Sequence, residues 1–442
     1  MLKLRSARVF ALAALVLVVS ASRGHAQAPK TFTLEEVQRL AAGNYELVNV
    51  AREQAKQAED VRRMAGSARL PTAVFQSVYT HNLISAAFDI GGQHIEVLPA
   101  NDYNLILSVV QPIFTGLRVE KGYQQAKLGV DLATKSLGIT AQDVILDATR
   151  EYYRVLAARD NVEILRRSLA FAEETLRTSE SLYKAGEAVE TAVLRARVAV
   201  SNAKRELLEA ENGLVLARQQ LALVGGITGD FDVARPAKPR AAGAPLEDLI
   251  KQGLATRGEL QAATLQQQIA QLEIEKKKGD WLPTVQAEAT YLRRKASFPS
   301  PSLSSLAINA TWTIFNGGRT GAEVANARSA LHAAELSREL LRKQTEQQIR
   351  SAYLNVETLS ASVDMLTAQV EFARRNADAT SKAYKVGEAT DLDMLESNAA
   401  LTQSERQLAM TTYTLDVAMY ELQRAVGTFA ADLVPAAAGG EQ

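Results

Sequence analysis

Two carboxylates, Asp393 and Glu396, stand three residues apart, a spacing that puts both on one face of a helix. That face lies roughly 130° from the apolar stripe of Met394, Leu401 and Leu408, so neither side chain belongs to a core. Carboxylates gathered around a narrow axis focus negative potential and favour cations, whereas on a plain solvated face they select nothing. Other chemistry is sparsely provided for. No cysteine is present, which excludes disulfides, thiolate nucleophiles, Cys-ligated metals and a lipid-bearing cysteine. His25, His81, His94 and His332 are scattered, which argues against a metal site. There is no HExxH, and Gly317-Gly318-Arg319-Thr320-Gly321 lacks the lysine of a phosphate-cradling loop. Neither an enzyme nor a cofactor is expected. The 50 basic and 50 acidic side chains cancel, and no nucleic-acid partner is expected without a clustered basic excess.

The elements that must position those carboxylates come from a tandem duplication. Tyr152, Tyr183, Gly186 and Leu194 recur as Tyr353, Tyr384, Gly387 and Leu395 at one constant offset, and Ile113-Phe114 returns as Ile314-Phe315. Leu70-Pro71 returns as Leu282-Pro283 at a larger offset, so the first copy carries a longer outer loop, about 82–101. Between 322 and 386 there is neither Gly nor Pro, and Ile349, Val356, Val363, Val370, Ala377 and Tyr384 recur every seven residues. That spacing is a coiled-coil seam. Its counterpart is Ala148, Val155, Val162, Leu169, Leu176 and Tyr183. Shorter seams follow each glycine turn, Val193 to Leu221 in one copy and Met394 to Leu422 in the other. Each copy is thus predicted to hold an antiparallel helical hairpin. One reverses at Lys184-Ala185-Gly186-Glu187, the other at Lys385-Val386-Gly387-Glu388. Ordinary core helices average about three turns, far fewer than these seams sustain.

A period of two appears before each long helix. Val285, Ala287, Ala289 and Tyr291 alternate with Thr284, Gln286, Glu288 and Thr290, and Leu306, Ile308, Ala310 and Trp312 alternate with Ala307, Asn309, Thr311 and Thr313. One face of such strands would meet lipid and the other water. The first-copy pair, about 71–115, is less regular: Leu105, Leu107 and Val109 fit the lipid face, but Gln111 falls where Trp312 stands. Phe75, Tyr79, Trp281, Tyr291, Trp312 and Phe315 lie towards strand ends, where interfacial belts form. A soluble hairpin packed on the helices is the competing account. At the start, Lys3, Arg5 and Arg8 precede an apolar run over 9–19 and then Gly24-His25-Ala26, the pattern of a secretory signal peptide over 1–26.

Dimensions convert these patterns into an architecture. The long helices, 117–183 and 320–384, are roughly 65 residues each, which at 1.5 Å per residue is on the order of 100 Å. Helices over 34–69 and 189–224 are half as long and, stacked end to end, would flank one long helix as a tube wall. A first repeat, 27–227, joins a second, 246–428, through a Pro- and Ala-rich linker, 228–245, placed near the tube's middle, and a tail follows over 429–442. Four strands cannot close a barrel, and an open edge cannot stand in hydrocarbon, so several subunits must share one. Strand count alone does not fix their number.

The duplicated order of helix, strand pair, long helix and short helix, the Leu-Pro before each strand pair and the Tyr-x-x-Gly tips resemble the TolC family of outer-membrane factors over nearly all of 27–428. The resemblance implies a fold that is mainly α with a membrane β-barrel: long coiled-coil hairpins, four transmembrane β-strands per protomer, and a barrel shared by a homotrimer. It implies an outer-membrane channel-tunnel of an efflux or type I secretion system, with a periplasmic adaptor (membrane fusion protein), an inner-membrane pump of RND or ABC type and outer-membrane lipid as partners. The tips centred on Gly186 and Gly387 would dock the adaptor, and Asp393 and Glu396 match acidic positions ringing the periplasmic aperture. Closed tips in that family are latched by a tyrosine, a threonine, an aspartate and an arginine. Tyr384 and Thr191 match the first two, but Ala192 and Ala389 replace the charged pair. A periplasmic coiled-coil adaptor or spacer is the alternative, although it would carry one hairpin set in small β domains.

Overall fold

In chain order, strand β1 (Lys30–Phe32) leads through helices α1 (Leu34–Asn44) and α2 (Glu46–Ser67) to strand β2 (Thr72–His81). A small hairpin, β3 (Ala86–Ile90) and β4 (Gln93–Leu98), precedes β5 (Asn101–Phe114), and helices α3 (Arg118–Lys184) and α4 (Glu190–Gly225) complete the first copy. After β6 (Phe231–Val233) come α5 (Leu246–Thr256), α6 (Gly258–Lys278), β7 (Thr284–Arg294), β8 (Ser302–Thr311), α7 (Arg319–Lys385) and α8 (Asp391–Val426). This computed structural model describes residues 30–237, 239, 244–295, 302–430 and 432–433. The expected signal peptide and most of the C-terminal tail lie outside them.

The duplication persists in the geometry, since α3 and α7 have 67 residues each and α4 and α8 have 36 each. The helix expected over 34–69 is not continuous. It breaks at Tyr45 (φ −69°, ψ 135°), and the second copy breaks likewise at Arg257 (φ −64°, ψ 125°). Gly43 and Asn44 before one break and Gly258 after the other are weak helix formers, so an extended residue there costs little. The breaks let α1 and α5 pack beside the middle of the long helices while α2 and α6 follow them to the sheet.

The wall is a lateral series. Towards the tips its order is α4, α3, α8, α7; towards the sheet it is α2, α3, α6, α7. Its thickest core is equatorial, where β1 pairs in parallel with β6 over Tyr152, close to the midpoint of α3. The Tyr152 hydroxyl lies 3.0 Å from the Phe32 carbonyl and 2.6 Å from that of Ala234, and Arg159 donates to the Val233 carbonyl at 2.8 Å. Burial pushes the Tyr152 phenol up to about 12. Part of the linker therefore lies at the middle of the wall. The end of α8 is anchored nearby by buried Arg424, which meets Asp143 of α3 and Glu259 of α6, each at 2.7 Å. Gly427 (φ +81°) comes so close to Arg257 that a Cβ there would sit 3.1 Å from its Cα.

Strands β2, β5, β7 and β8 form one antiparallel sheet in that order, with β2 and β8 as edges. The longer outer segment is not the plain loop expected: it contains the β3–β4 hairpin, closed by Gly91 and Gly92 at φ +60° and +84°. Two consecutive positive φ values suit a tight two-residue hairpin turn, and Gly-Gly was its signal in the sequence.

Candidate functional site

Both helical hairpins reverse through glycine in the left-handed region, Gly186 at φ +78° and Gly387 at φ +77°. The following amides, of Glu187 and Glu388, each donate back to a carbonyl in the last helical turn at 2.9 Å, which closes the end of each helix at the reversal. Lys184, Ala185, Gly186 and Glu187 are all exposed, as are Lys385, Val386, Gly387 and Glu388. Val386 puts an apolar side chain into solvent, 70% exposed, where the first copy has Ala185.

The two copies differ most at the tyrosine before each turn. Tyr183 is 47% exposed, whereas Tyr384 is 8% exposed and its hydroxyl lies 3.2 Å from Ser179 Oγ of α3. Thr191, in the first turn of α4, is exposed, and Ser179 takes the place beside the Tyr384 hydroxyl. Ala192 is buried and Ala389 half-buried. A different ion pair joins the tips: Arg195 Nη1 of α4 lies 3.2 Å from Asp391 Oδ2 of α8. Further from the tips, Glu405 of α8 receives Arg167 of α3 at 2.7 Å and Arg374 of α7 at 2.8 Å. Burial opposes the charge on Glu405, yet these guanidiniums hold its carboxyl below the usual glutamate range. Sequence reading missed Ser179, Arg195 and Asp391 because their partners are remote in the chain.

Asp393 has a structural task as well. Its Oδ2 accepts the Thr390 hydroxyl at 2.7 Å and the Thr390 backbone N–H at 2.8 Å, and Thr390 Oγ1 accepts the Asp393 N–H in return. These bonds, the hydroxyl's first, hold the Asp393 carboxyl below its ordinary value. The Thr-x-x-Asp spacing was a readable capping box. Glu396 is exposed, and both carboxylates line an open groove of about 570 Å³ between α7 and α8.

The equatorial strands identify the two faces of the wall. On α3, Tyr152 and Arg159 hold β1 and β6, while Arg154, Ala157, Asn161 and Leu165 project the opposite way into a groove that crosses from α4 to α8. On α4, Arg218 reaches Asp232 of β6 at 3.4 Å, whereas Leu216 and Leu223 line that groove. On α8 the groove is lined by Arg406 and Met410, which share with Glu396 and Asp393 a sector of about 140° at 100° per residue. The acidic pair thus faces away from the equatorial strands.

In the sheet, the register aligns the nominated side chains on one face. Phe75, Leu107 and Tyr291 form one cross-strand row, Ala73, Val109, Ala289 and Leu306 the next, then Ala287 with Ile308 and Val285 with Ala310. The opposite face carries Ser108, Thr290 and Ser305, and Gln286 with Asn309. Trp312 is corrected: β8 ends at Thr311, so Trp312 stands just beyond the strand, where its indole donates to the Trp281 carbonyl at 3.0 Å. Gln111 sits in the apolar row opposite Ala287, its amide donating to the Arg69 carbonyl at 2.9 Å. Among the described residues no cluster of His, Cys, Asp and Glu could hold a metal ion, and no helix is long and apolar enough to cross a membrane.

Paired coiled hairpins joined to a four-stranded sheet with open edges are matched by a protein-family profile described as outer membrane efflux protein, over residues 37–226 and 249–428. The chain belongs to that family. The outer membrane efflux protein BepC of Brucella suis is 24% identical over 342 residues, covering 76% of this chain and 75% of BepC. The alkaline protease secretion protein AprF of Pseudomonas aeruginosa is 25% identical over 333 residues, covering 71% and 67%. In architecture, the Campylobacter jejuni CmeC outer membrane channel aligns with a TM-score of 0.78 at 16% identity, over 90% of this chain and 86% of CmeC. The protein is an outer-membrane efflux or secretion channel of the Gram-negative type, and the adaptor reading falls.

Proposed function

We propose that three copies close into one duct whose strands form a single barrel in the outer membrane and whose helices form a periplasmic tunnel. The observation that carries this is the placement of the unpaired edges. Strand β2 and helices α2 and α4 lie at one lateral side of the protomer, β8 and α7 at the other. Both sides expose large apolar side chains on otherwise polar helices: Met64, Leu208 and Val215 on the first, Leu354, Met365 and Phe372 on the second. Complementary but different sides make a head-to-tail contact, which buries every edge only by closing into a ring. Three copies, as the family resemblance implies, would supply twelve strands, and the apolar face bearing Ile308 would meet lipid.

In such a ring the linker strands run outside, so Asp393 and Glu396 face the lumen and gate the periplasmic aperture. The exposed tips around Gly186 and Gly387 dock a periplasmic adaptor, which couples the duct to an inner-membrane pump of RND or ABC type. The channel itself performs no chemistry. Because the chain has no cysteine, the ring is open to direct test. Cysteines replacing Leu208 and Met365, each 22 residues along its helix from the tip glycines Gly186 and Gly387 and on opposite lateral sides, should cross-link different copies into a trimer on oxidation. A membrane-extracted protein that scatters light as a monomer with full helicity, and forms no such cross-link, would refute the shared barrel.

A further inference from the structure

The groove opposite the equatorial strands has a volume of about 880 Å³. Its floor is small, with Ala157 and Ala158 of α3 and Ala210, Gly213 and Ala217 of α4. Its apolar rim is exposed: Leu216 57%, Leu223 62% and Met410 61%. Volumes of about 300 to 1,000 Å³ suit ligands of drug size. Neither lateral neighbour would cover it, because the far side of α4 is marked by Leu208 and Val215, whereas Leu216 and Leu223 turn towards the groove.

Unused hydrogen-bond donors decide what the groove takes. Arg154 is paired with Glu151 at 3.4 Å, Glu209 with Arg205 at 2.7 Å, and Glu206 lies 3.8 Å from Arg205. Arg406 is half-buried and has no ion pair among the described residues. It sits on α8, between α3 and α7 in the wall, so a second copy approaching either lateral edge does not reach it. A guanidinium with unused donors at the wall of a groove can meet a carboxylate or sulfonate through two parallel N–H bonds. We propose that this groove is a lumenal binding site for amphipathic organic anions, with the carboxylate or sulfonate head on Arg406 and the aliphatic body over Met410, Leu216 and the alanine floor. The proposal rests on the duct reading, since only there does the groove face passing cargo.

Decanoate serves as the probe, titrated against the full chain in lipid nanodiscs with empty nanodiscs subtracted, while the single-channel conductance of the same purified protein is recorded in a planar bilayer. Binding should saturate, and Arg406→Gln should weaken it about tenfold, as expected for loss of one charge-assisted contact. Arg406→Lys should recover part of the loss. Decyltrimethylammonium, equal in chain and opposite in charge, should bind at least tenfold more weakly than decanoate. Equal binding of both amphiphiles, or unaltered decanoate binding by Arg406→Gln in a protein that conducts normally, would overturn the groove site and leave the duct intact. Arg406-dependent binding without any conductance would keep the groove as an anion site and refute its lumenal role along with the duct.

Discussion

Removing the two polar links between the hairpin tips should release the periplasmic end of the duct. In each protomer these links are the Arg195–Asp391 pair at 3.2 Å and the Tyr384–Ser179 contact at 3.2 Å. The ion pair has one half-exposed partner, with side-chain exposures of 49% and 13%. It therefore belongs to the class worth about 0.2 to 1 kcal/mol. The buried hydroxyl contact contributes about 0.5 to 1.5 kcal/mol. Taking about 0.6 and about 1.0, Arg195→Gln with Tyr384→Phe should shift opening by about 1.6 kcal/mol per protomer, roughly fifteenfold at 1.4 kcal/mol per decade. If three protomers open together, the factor is on the order of 10³. Single-channel recording of the reconstituted protein should show a larger open fraction for the double variant. High salt should reproduce part of the effect in the native protein, because mobile ions screen the exposed pair. Thr191→Val should leave gating unchanged, since Ser179 is what meets the Tyr384 hydroxyl. Native gating in the double variant, with normal trimer assembly, would show that apolar packing alone holds the tips.

Replacing Asp393 and Glu396 together by Ala should lower cation selectivity and block by trivalent cations in bilayer recordings without disturbing trimers, since both carboxylates are exposed and off the seam. The Thr390 bonds depress the Asp393 carboxyl, so its share of selectivity and of helix stability is present at neutral pH and lost only as pH falls below the ordinary 3.8 of aspartate; a loss already complete at pH 5 would contradict the capping geometry. Ile308→Arg, on the apolar face of β8, should cost about 2 to 4 kcal/mol at mid-bilayer and impair assembly in outer-membrane fractions, while Asn309→Arg should be mild. Equal damage from both would reverse the strand faces. Tyr152→Phe strips the hydroxyl from the Phe32 and Ala234 carbonyls and should lower stability by about 1 to 3 kcal/mol, seen as a lower Tm and faster proteolysis of the linker. With its phenol raised to about 12, Tyr152 contributes fully below its ordinary 10, and that contribution fades as pH climbs through 12.

By itself the sequence determined the periodic elements and their doubling. Heptads from Ile349 to Tyr384, alternation from Thr284 to Tyr291 and glycine at Gly186 and Gly387 are local signals, and local sterics enforce them whatever the chain packs against. The cap at Thr390, the turn at Gly91-Gly92 and the weak helix formers beside Tyr45 are equally local signals. Only tertiary structure decided which side chains meet across the duplication. Arg195 with Asp391, Ser179 with Tyr384 and Glu405 between two arginines depend on the lateral order of helices about 100 Å long, where a one-residue slip of register would change every pair. Tertiary structure also assigned the faces. A coiled-coil period distinguishes the buried stripe of a helix from the rest but is silent about which exposed side looks towards a lumen. Here the β1–β6 strands on Tyr152 mark one side of the wall, and Asp393, Glu396 and Arg406 are thereby placed on the other.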